Sequence, residues 1–316
     1  MQRSLAFVLA GGGARGALQV GALRALLEAG IRPDLLVGSS IGSVNAAFLG
    51  LHGFTAESLD ALESAWFAAA KAKLLPPNPL WITMRVFLNR ARIRPYHCIK
   101  DFLISQGLTP EIHFGDLRGP STILVSADLN SAQPVFYGSD PQQSVLDGIL
   151  ASGALPPWIH PLEMGDRFLI DGGSISNLPI EPAILHGATE IIALDLPARG
   201  EIDLKEHGFG PFWTKLLTTI SARQIYLELE LAQAKGIPVH LVELTTKPPV
   251  PIWDFSQTKI LLETGYQQMK MVLEAGKIPS FSRPHSWLGR LMNRIPFRRH
   301  EIRTGNGKDF KTKKGI

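Results

Sequence analysis

The chain alternates short runs of consecutive apolar residues with longer segments whose apolar residues recur at helical spacing. The short runs predict strands at Leu5–Ala10, Leu35–Gly38, Thr122–Ala127, Pro134–Tyr137, Phe168–Ile170, Ile191–Leu194 and Val239–Leu244. The longer segments predict helices at Ala17–Ala29, Ile41–Leu49, Ala56–Ala70, Val145–Ala151, Ile180–His186, Trp213–Ala234 and Lys259–Ala275. Short apolar strands between helices indicate an α/β fold with three layers, α/β/α, around a mainly parallel central sheet.

Two segments of the 316-residue chain depart from this alternation, one at about residues 50–119 and one at residues 282–316. Between about residues 50 and 119 the sequence has helical stretches and the Pro76–Pro79 cluster but no convincing strand. That segment predicts a helical excursion beside the sheet, either a substrate entrance or a purely structural insertion. We therefore expect one domain over residues 4–281, followed by a tail at residues 282–316.

Composition is that of a folded globular protein, because 45% of the residues are apolar and 19% are charged. The single cysteine, Cys98, excludes an internal disulfide and a four-thiolate metal site, and it favours a reducing, cytoplasmic location. No run approaches the ~18 consecutive apolar residues that a membrane-spanning helix needs. Residues 1–10 faintly resemble a signal peptide, but the glycines that follow favour a turn between a strand and a helix.

Charge is unevenly distributed along the chain. Residues 1–281 contain 22 Lys+Arg and 26 Asp+Glu, a net −4, whereas residues 282–316 contain 10 and 2, a net +8. The tail repeats apolar residues at helical spacing, with arginines on another side: Trp287, Leu288, Leu291, Met292 and Ile295, then Arg290, Arg294 and Arg298. This pattern is typical of a helix lying on an anionic membrane, and a solvated tail is the alternative. No stacking or base-reading motif indicates a nucleic-acid partner.

A glycine-rich turn, Gly11-Gly12-Gly13-Ala14-Arg15-Gly16, follows the first predicted strand. It matches the G-x-G-x-x-G pattern of dinucleotide-binding turns, which also require an acidic residue at the end of the second strand. Asp34 lies before that strand, at the wrong end, which disfavours nucleotide binding. Successive glycines also direct backbone N–H groups at one point beside a helix N-terminus, which suits the oxyanion formed when a carbonyl is attacked.

A second turn, Gly38-Ser39-Ser40-Ile41-Gly42, matches G-x-S-x-G with Ser40 at its centre. It lies between a short strand and a helix of small residues, the context in which this motif presents a serine nucleophile. Such a serine needs a base, usually a histidine. None of the nine histidines lies in a recognisable turn after a late strand, and only two strands precede Ser40. Both facts argue against the α/β-hydrolase fold.

A third turn, Asp171-Gly172-Gly173, follows the predicted strand at Phe168–Ile170. An acid at a strand end before two glycines is expected to be exposed at the carboxyl edge of the sheet, where the active sites of open α/β folds collect. A plain turn aspartate has the same pattern. His160 is expected near the same pocket as a packing or lining residue.

Together the three turns resemble those of the patatin-like phospholipases. In that family a G-G-G-x-R-G turn supplies the oxyanion hole, a G-x-S-x-G turn supplies the nucleophile, and a D-G-G or D-G-A turn supplies an aspartate that acts as the base. The stretches Ala151–Pro157 and Asp254–Ser256 are also similar to segments of the family. The resemblance covers about residues 4–275.

This resemblance implies a patatin-like hydrolase domain with a catalytic dyad, Ser40 as nucleophile and Asp171 as proton acceptor. It implies an oxyanion hole at Gly11, Gly12, Gly13, Arg15 and Gly16, nucleophile-elbow glycines at Gly38 and Gly42, and motif glycines at Gly172 and Gly173. Arg15 is expected to shape the loop or balance charge. The implied activity is cleavage of lipid acyl esters, as a phospholipase A, lysophospholipase or lipid acyl hydrolase, without metal or cofactor. The alternatives are a general carboxylesterase and a non-catalytic acyl-lipid-binding protein.

Overall fold

The computed structural model describes residues 3–72, 74, 94–156, 158–197 and 209–278. The strands of this part are β1 Leu5–Leu9, β2 Leu35–Ser39, β3 Ser121–Asp128, β4 Gln133–Tyr137, β5 Leu162–Met164, β6 Arg167–Asp171, β7 Glu190–Asp195 and β8 Val239–Glu243. Its α-helices are α1 Gly16–Glu28, α2 Ile41–His52, α3 Ala56–Ala72, α4 Arg94–Ser105, α5 Val145–Ser152, α6 Ile180–Leu185, α7 Phe209–Ala234 and α8 Thr258–Glu274. Short 3₁₀ turns lie at Gly13–Arg15, Phe114–Asp116, Gly172–Ser174 and Phe255–Gln257.

The strands form one sheet. Five of them run parallel in the order β3-β2-β1-β7-β8. Strands β4 and β6 pair antiparallel with β3, and β5 pairs antiparallel with β6. Every residue of β1 and β2 is buried, as expected of apolar runs in a parallel sheet that is covered on both faces. The prediction of a mainly parallel sheet is therefore confirmed.

Helices cover both faces of this sheet. Successive side chains of a strand point to opposite faces. Phe7 and Leu9 of β1 accordingly belong to one apolar core together with residues of α1, α2, α3, α5 and α8. Ala6 and Val8 belong to a second core together with residues of α6 and α7. This arrangement confirms the predicted α/β/α layers.

Strand β3 brings two distant turns together. Its residues 121–125 pair with β2 and its residues 126–128 pair with β6, while β4 pairs with residues 124–128. Since β4 occupies one edge of β3, β2 and β6 must follow one another along the opposite edge. Ser39 pairs with Val125, and Asp171 pairs with the next residue, Ser126. The carboxyl ends of β2 and β6 therefore meet, although the two strands run in opposite directions.

Two observed elements had no predicted bounds: α4, which lies within the predicted helical excursion, and β5, which was not predicted. Pro95 is the second residue of α4, and proline is well tolerated in the first turn of a helix. Strand β5 has only three residues, too few for a period-2 pattern to be recognised. Between residues 50 and 119 the described residues contain helices and no strand.

Three sequence predictions lie outside the described residues. They are the Pro76–Pro79 break, the tail at residues 282–316 and the interfacial helix within that tail. Among the helices that are described, none combines the length and apolar character required to cross a membrane.

Candidate active site

Ser40 occupies a tight turn between β2 and α2, and its backbone is in an unusual conformation. Its φ is 53° and its ψ is −123°, in the half of the Ramachandran plot that non-glycine residues rarely enter. The surrounding structure holds it there, since its N–H donates to Ser152 Oγ over 2.9 Å and its carbonyl accepts from Ser43 N over 3.0 Å. Backbone strain of this kind persists only where neighbouring contacts compensate for it, and it is common at functional sites.

The glycines on either side of Ser40 are required by close backbone contacts. A Cβ at Gly38 would lie 2.4 Å from the carbonyl oxygen of Gly42. A Cβ at Gly42 would lie 2.1 Å from the carbonyl oxygen of Leu9 in β1. Gly42 lies in α2 and Leu9 in β1, so neither neighbour can move away without disturbing a helix or a strand, and any side chain at Gly38 or Gly42 would displace the serine turn.

Asp171 is the hydrogen-bond partner of Ser40. The Ser40 hydroxyl donates to Asp171 Oδ2 over 2.6 Å, and the Gly173 N–H donates to Asp171 Oδ1 over 2.7 Å. A Cβ at Gly172 would lie 2.1 Å from the carbonyl oxygen of Val125, so the turn can pack against β3 only with glycine there. The serine turn and the aspartate turn, predicted separately, are thus in direct contact.

The expected exposure of Asp171 is wrong. Only 2% of the residue is exposed. Strand β6 pairs with β3 just beyond the end of β2, and Asp171, the last residue of β6, contacts Ser40 instead of solvent. The Asp171 N–H also donates to the carbonyl of Ala154, two residues after the end of α5. Burial raises the pKa of Asp171 to about 6, against the lowering effect of the hydrogen bonds from Ser40 and Gly173.

The glycine turn lies directly beside Ser40. A Cβ at Gly11 would lie 3.0 Å from the Cβ of Ser40, and one at Gly16 would lie 2.7 Å from Ile41 Cγ1. Gly13 has a φ of 56°, and a Cβ there would lie 2.3 Å from the carbonyl oxygen of Ile252. Within the described part of the chain, the N–H groups of Gly12 and Gly13 donate to no backbone or side-chain acceptor. They are the available donors of this turn.

Arg15 is buried at the end of the glycine turn and also lines the cavity described below. Its Nε donates to the carbonyl of Gly12 over 3.3 Å, so the side chain closes the turn on itself. Burial lowers the pKa of Arg15 to about 10, and the nearby Asp195 opposes this shift. The expected role of Arg15, to shape the loop or to balance charge, stays a prediction.

Two residues that sequence reasoning did not single out individually complete the support of the turns. The backbone carbonyl of Asn177 accepts from Gly11 N over 3.0 Å, and Cβ atoms built at Gly11 and Gly173 would both lie within 2.8 Å of Asn177 Oδ1. Ser152 accepts from Ser40 N and donates to the carbonyl of Val125 over 2.6 Å. No local pattern marks Asn177, whereas Ser152 falls within the Ala151–Pro157 stretch.

A buried polar network ties the glycine turn to the helices behind it. Gln19 Nε2 donates to the carbonyl of Ala10 over 2.9 Å, and Gln19 Oε1 accepts from Asn45 Nδ2 over 3.0 Å. Asn45 also donates to the carbonyl of Gly16 and accepts from Trp66 Nε1, each at 3.0–3.1 Å. Because the side-chain polar atoms of Gln19 and Asn45 all have partners, this network favours one fixed position of the turn.

The three turns open into a cavity of about 1240 Å³. Its wall includes Ser40, Asp171 and Gly11–Gly13, but most of it is apolar: Val44, Phe48, Leu62, Trp66, Ile99, Leu103, Ile149, Leu150, Leu196, Ile225, Leu229, Val250, Ile252 and Phe255 are among the lining residues. An apolar cleft with a few convergent polar groups is the usual form of a small-molecule site.

None of the described residues that line the cavity is a histidine. His160, expected as a packing or lining residue, is exposed, and the contact of its ring is with the carbonyl of Pro161. The prediction for His160 is wrong, because Ile159 is buried and lines the cavity whereas His160 is exposed and does not. No cluster of three His, Cys, Asp or Glu side chains that could hold a metal ion occurs among the described residues.

The Ser40 hydroxyl, hydrogen-bonded to a buried carboxylate, thus lies beside two glycine N–H groups that have no acceptor among the described residues, at one edge of an α/β sheet. The model of the patatin-like phospholipase family matches residues 7–184, which include all three turns. The chain belongs to the patatin-like phospholipase family.

Relatives within the family are much longer proteins. The chain is 28% identical over 295 residues to patatin-like phospholipase domain-containing protein 7 of Mus musculus, covering 86% of this chain and 21% of that protein. It is 28% identical over 302 residues to lysophospholipase nte1 of Aspergillus terreus, covering 86% and 18%. The chain thus spans about a fifth of the length of these relatives. The crystal structure of VipD from Legionella pneumophila aligns with a TM-score of 0.46 and 16% identity, covering 87% of this chain and 67% of that one.

Proposed function

We propose that the protein is a serine hydrolase that cleaves the acyl esters of lipids, with Ser40 as nucleophile and Asp171 as general base. The observation that carries the proposal is the 2.6 Å hydrogen bond from the Ser40 hydroxyl to Asp171 Oδ2 at the wall of a large apolar cavity. A nucleophile within hydrogen-bond reach of its base is the geometry that covalent catalysis needs.

The first half of the reaction transfers the acyl group to Ser40. As Ser40 Oγ attacks the carbonyl carbon of the ester, its proton moves to Asp171 Oδ2. A pKa of about 6 leaves Asp171 ionised at neutral pH and makes it a stronger base than an ordinary aspartate. Asp171 then returns the proton to the leaving alkoxide, which departs as the alcohol and leaves an acyl-enzyme.

Hydrolysis of the acyl-enzyme repeats these steps with water. Asp171 takes a proton from the water as its oxygen attacks the acyl carbon, and then gives that proton to Ser40 Oγ as the fatty acid leaves. In both halves the tetrahedral oxyanion would accept hydrogen bonds from the N–H groups of Gly12 and Gly13. A preorganised donor of this kind lowers the barrier by roughly 3–4 kcal/mol.

Lipid esters are the proposed substrates because the cavity wall is mainly apolar and because a relative bears the name lysophospholipase. Burying each methylene of an acyl chain contributes about 0.8 kcal/mol. We therefore expect kcat/KM for esters of one alcohol to rise at least about tenfold from the acetyl to the decanoyl ester. The measurement is fatty-acid release from a chain-length series and from a panel of lysophospholipids, diacyl phospholipids and acylglycerols.

The same series distinguishes the alternatives. A preference for acetyl esters, with no release from any lipid, would indicate a general carboxylesterase. Saturable binding of the lipids without release from any ester would indicate a non-catalytic acyl-lipid-binding protein. The panel also separates phospholipase from lysophospholipase activity.

We also propose a cytoplasmic enzyme that associates peripherally with anionic membranes through residues 282–316. Their net charge of +8 supports this, since basic residues near an anionic surface contribute about 1 kcal/mol each. The full chain is expected to pellet with phosphatidylserine-containing vesicles more than a 1–281 truncation does, and pure phosphatidylcholine vesicles serve as the control. Equal pelleting of the two proteins would remove the tail from the proposal.

A further inference from the structure

Two fully buried amide side chains, those of Gln19 and Asn45, hold the glycine turn at both of its ends. Just before the turn, the carbonyl of Ala10 accepts from Gln19 Nε2 over 2.9 Å. At its last residue, the carbonyl of Gly16 accepts from Asn45 Nδ2 over 3.1 Å. Asn45 Nδ2 also donates to Gln19 Oε1 over 3.0 Å, so the two side chains form one amide clamp across the turn.

The indole of Trp66 fixes the direction of the amide clamp. Trp66 Nε1 bonds to the amide of Asn45 over 3.0 Å, and an indole N–H can only donate. The amide atom that faces it must therefore be Oδ1, which leaves Asn45 Nδ2 for Gly16 and Gln19. Because Gln19 Oε1 is then occupied, Gln19 Nε2 is left for the carbonyl of Ala10 and for one carbonyl of β7. One donor thus sets the orientation of both amides.

The middle of the glycine turn contains the N–H groups that are available to an oxyanion. Those of Gly12 and Gly13 have no acceptor among the described residues, and both glycines line the cavity. The N–H groups on either side, of Gly11 and Ala14, are already bonded to backbone carbonyls. Donors of this kind act only when they are held in place before the reaction, and a misplacement of about 1 Å can lower a rate about 100-fold.

Neither Gln19 nor Asn45 lines the cavity, so any effect of theirs on the reaction passes through the turn. We propose, on the basis of the proposed function, that they are positioning residues that hold the N–H groups of Gly12 and Gly13 where the oxyanion forms. Their loss should then weaken binding of the transition state and spare binding of the substrate, since the cavity wall keeps all its residues. A purely structural role would lower stability and leave the affinity for a transition-state analogue unchanged.

The test compares the binding of two ketones that differ in their reaction with Ser40. Decyl trifluoromethyl ketone forms a bond from its carbonyl carbon to Ser40 Oγ, the π electrons of the carbonyl move to its oxygen as an oxyanion, and the Ser40 proton moves to Asp171. Decyl methyl ketone has the same chain and remains a ketone. The ratio of the two Kd values, measured by calorimetry, reports stabilisation of the oxyanion. The wild type should bind the trifluoromethyl ketone at least about 100-fold more tightly.

Gln19→Met keeps the length of the side chain and removes its hydrogen bonds to the turn. Because the oxyanion donors are displaced and not deleted, the loss should be smaller than the roughly 10²- to 10³-fold loss caused by deleting one donor. We expect the Kd of the trifluoromethyl ketone to rise about thirtyfold and that of the methyl ketone less than about twofold. For a decanoyl ester, kcat should fall by the same factor as the analogue affinity, with KM nearly unchanged.

Asn45→Leu removes the other amide with little change in size and should have the same effect on the two Kd values. It also tests the positioning role if Gln19→Met does not fold. A Kd ratio equal to that of the wild type in folded Gln19→Met or folded Asn45→Leu would overturn the proposal.

Gln268→Met is the matched control, because it makes the same substitution at another glutamine that holds the backbone. Gln268 Oε1 accepts from Thr245 N over 3.0 Å, and Gln268 Nε2 donates to the carbonyl of Thr245 over 2.7 Å. Neither residue lines the cavity. The variant should lose stability in urea unfolding and keep the wild-type Kd ratio and kcat. An equal fall of the Kd ratio in Gln268→Met would mean that lost stability accounts for the effect, and would overturn the proposal.

The wild-type Kd ratio separates the positioning role from the proposed function. If the wild type bound both ketones equally, Ser40 would not add to a carbonyl, and the proposed function would fail together with the positioning role that rests on it. If the wild type bound the trifluoromethyl ketone far more tightly and this preference survived in Gln19→Met and Asn45→Leu, the proposed function would stand and the positioning role alone would fail.

Discussion

Ser40→Ala is expected to lower the rate of ester hydrolysis by at least about 10⁴-fold, because it removes the proposed nucleophile. Loss of the serine in other serine hydrolases has effects of this size or larger. Alanine at position 40 cannot form an acyl-enzyme, and the carboxylate of Asp171 loses the hydroxyl that donates to it. The effect is measured as the rate of decanoate release from a decanoyl ester, compared with the background rate.

The backbone of Ser40 provides a check that this loss is chemical and not structural. With φ at 53°, alanine is as strained there as serine, whereas glycine adopts this conformation readily. Ser40→Gly should therefore be inactive and at least as stable as Ser40→Ala in urea unfolding. An inactive variant of undiminished stability excludes unfolding as the cause.

Ser39 is the matched control for the neighbouring serine. Its hydroxyl is fully buried and has no hydrogen-bond partner among the described residues, so Ser39→Ala removes an unpaired polar group. The variant should retain activity within a few-fold and be equal or greater in stability. Activity that persists in Ser40→Ala and disappears in Ser39→Ala would refute the assignment of the nucleophile.

Asp171→Asn is expected to lower kcat by about 10⁴-fold, the loss seen when the aspartate of a Ser-His-Asp triad is replaced by asparagine. An asparagine can keep both contacts, accepting from Gly173 N and donating to Ser40 Oγ, so the geometry can survive while the base is lost. Single-turnover acylation of Ser40 by a chromogenic ester measures the step directly.

The pH dependence gives a second readout for Asp171. Since the carboxylate is the active form and its pKa is raised to about 6, kcat/KM of the wild type should rise about tenfold per pH unit below pH 6 and level off above it. The residual activity of Asp171→Asn should lack this step. A wild-type profile that stayed flat from pH 5 to pH 8 would contradict the role of Asp171 as base.

Stability should change in the opposite sense to activity. The folded protein binds the Asp171 proton more tightly than the unfolded chain, whose pKa is near 3.8, so the contribution of Asp171 to stability declines as pH rises from about 4 to about 6. That decline amounts to roughly 3 kcal/mol, and Asp171→Asn removes it. The free energy of unfolding of the variant, relative to wild type, should therefore increase over this interval.

A second buried serine–carboxylate pair serves as the control for these effects. Ser176 Oγ donates to Glu228 Oε1 over 2.6 Å, and burial raises the pKa of Glu228 to about 7. Neither residue lines the cavity. Glu228 also accepts from Glu181 N over 2.8 Å. Glu228→Gln can keep this contact and donate to Ser176 Oγ, so it should retain activity within about threefold, with the step near pH 6 intact. A loss as large as that of Asp171→Asn would mean that a buried serine–carboxylate pair, rather than contact with the substrate, accounts for the effect.

Most of the sheet could be predicted from the sequence because its central strands are buried on both faces. Leu5–Leu9 and Leu35–Ser39 are runs of residues that all face a core, and such runs are recognisable without any tertiary information. The three glycine-containing turns were recognisable for a related reason. Close backbone approaches, such as that of Gly42 to the carbonyl of Leu9, permit no side chain and so leave glycines in the sequence.

The sequence could not show contacts between residues that are far apart along the chain. Asn177 supports Gly11 across 166 positions, and no local pattern marks it. Gln19 and Asn45 are 26 positions apart, and their amides meet only because α1 and α2 pack against each other. The same limit explains the error at His160, because the exposure of a residue depends on tertiary packing and not on its neighbours in sequence.

By itself the sequence determined the α/β class, the family and the three turns, because those features depend on local patterns of apolar residues and glycine. Tertiary structure alone decided how Ser40 and Asp171 meet. In the sequence, Asp171 looks like an exposed turn residue. In the structure, β6 pairs antiparallel with β3 just beyond the end of β2, and this pairing buries the carboxyl group of Asp171 against Ser40. Burial in turn raises the pKa of Asp171 to about 6, and that depends on the surrounding fold and not on neighbours in sequence.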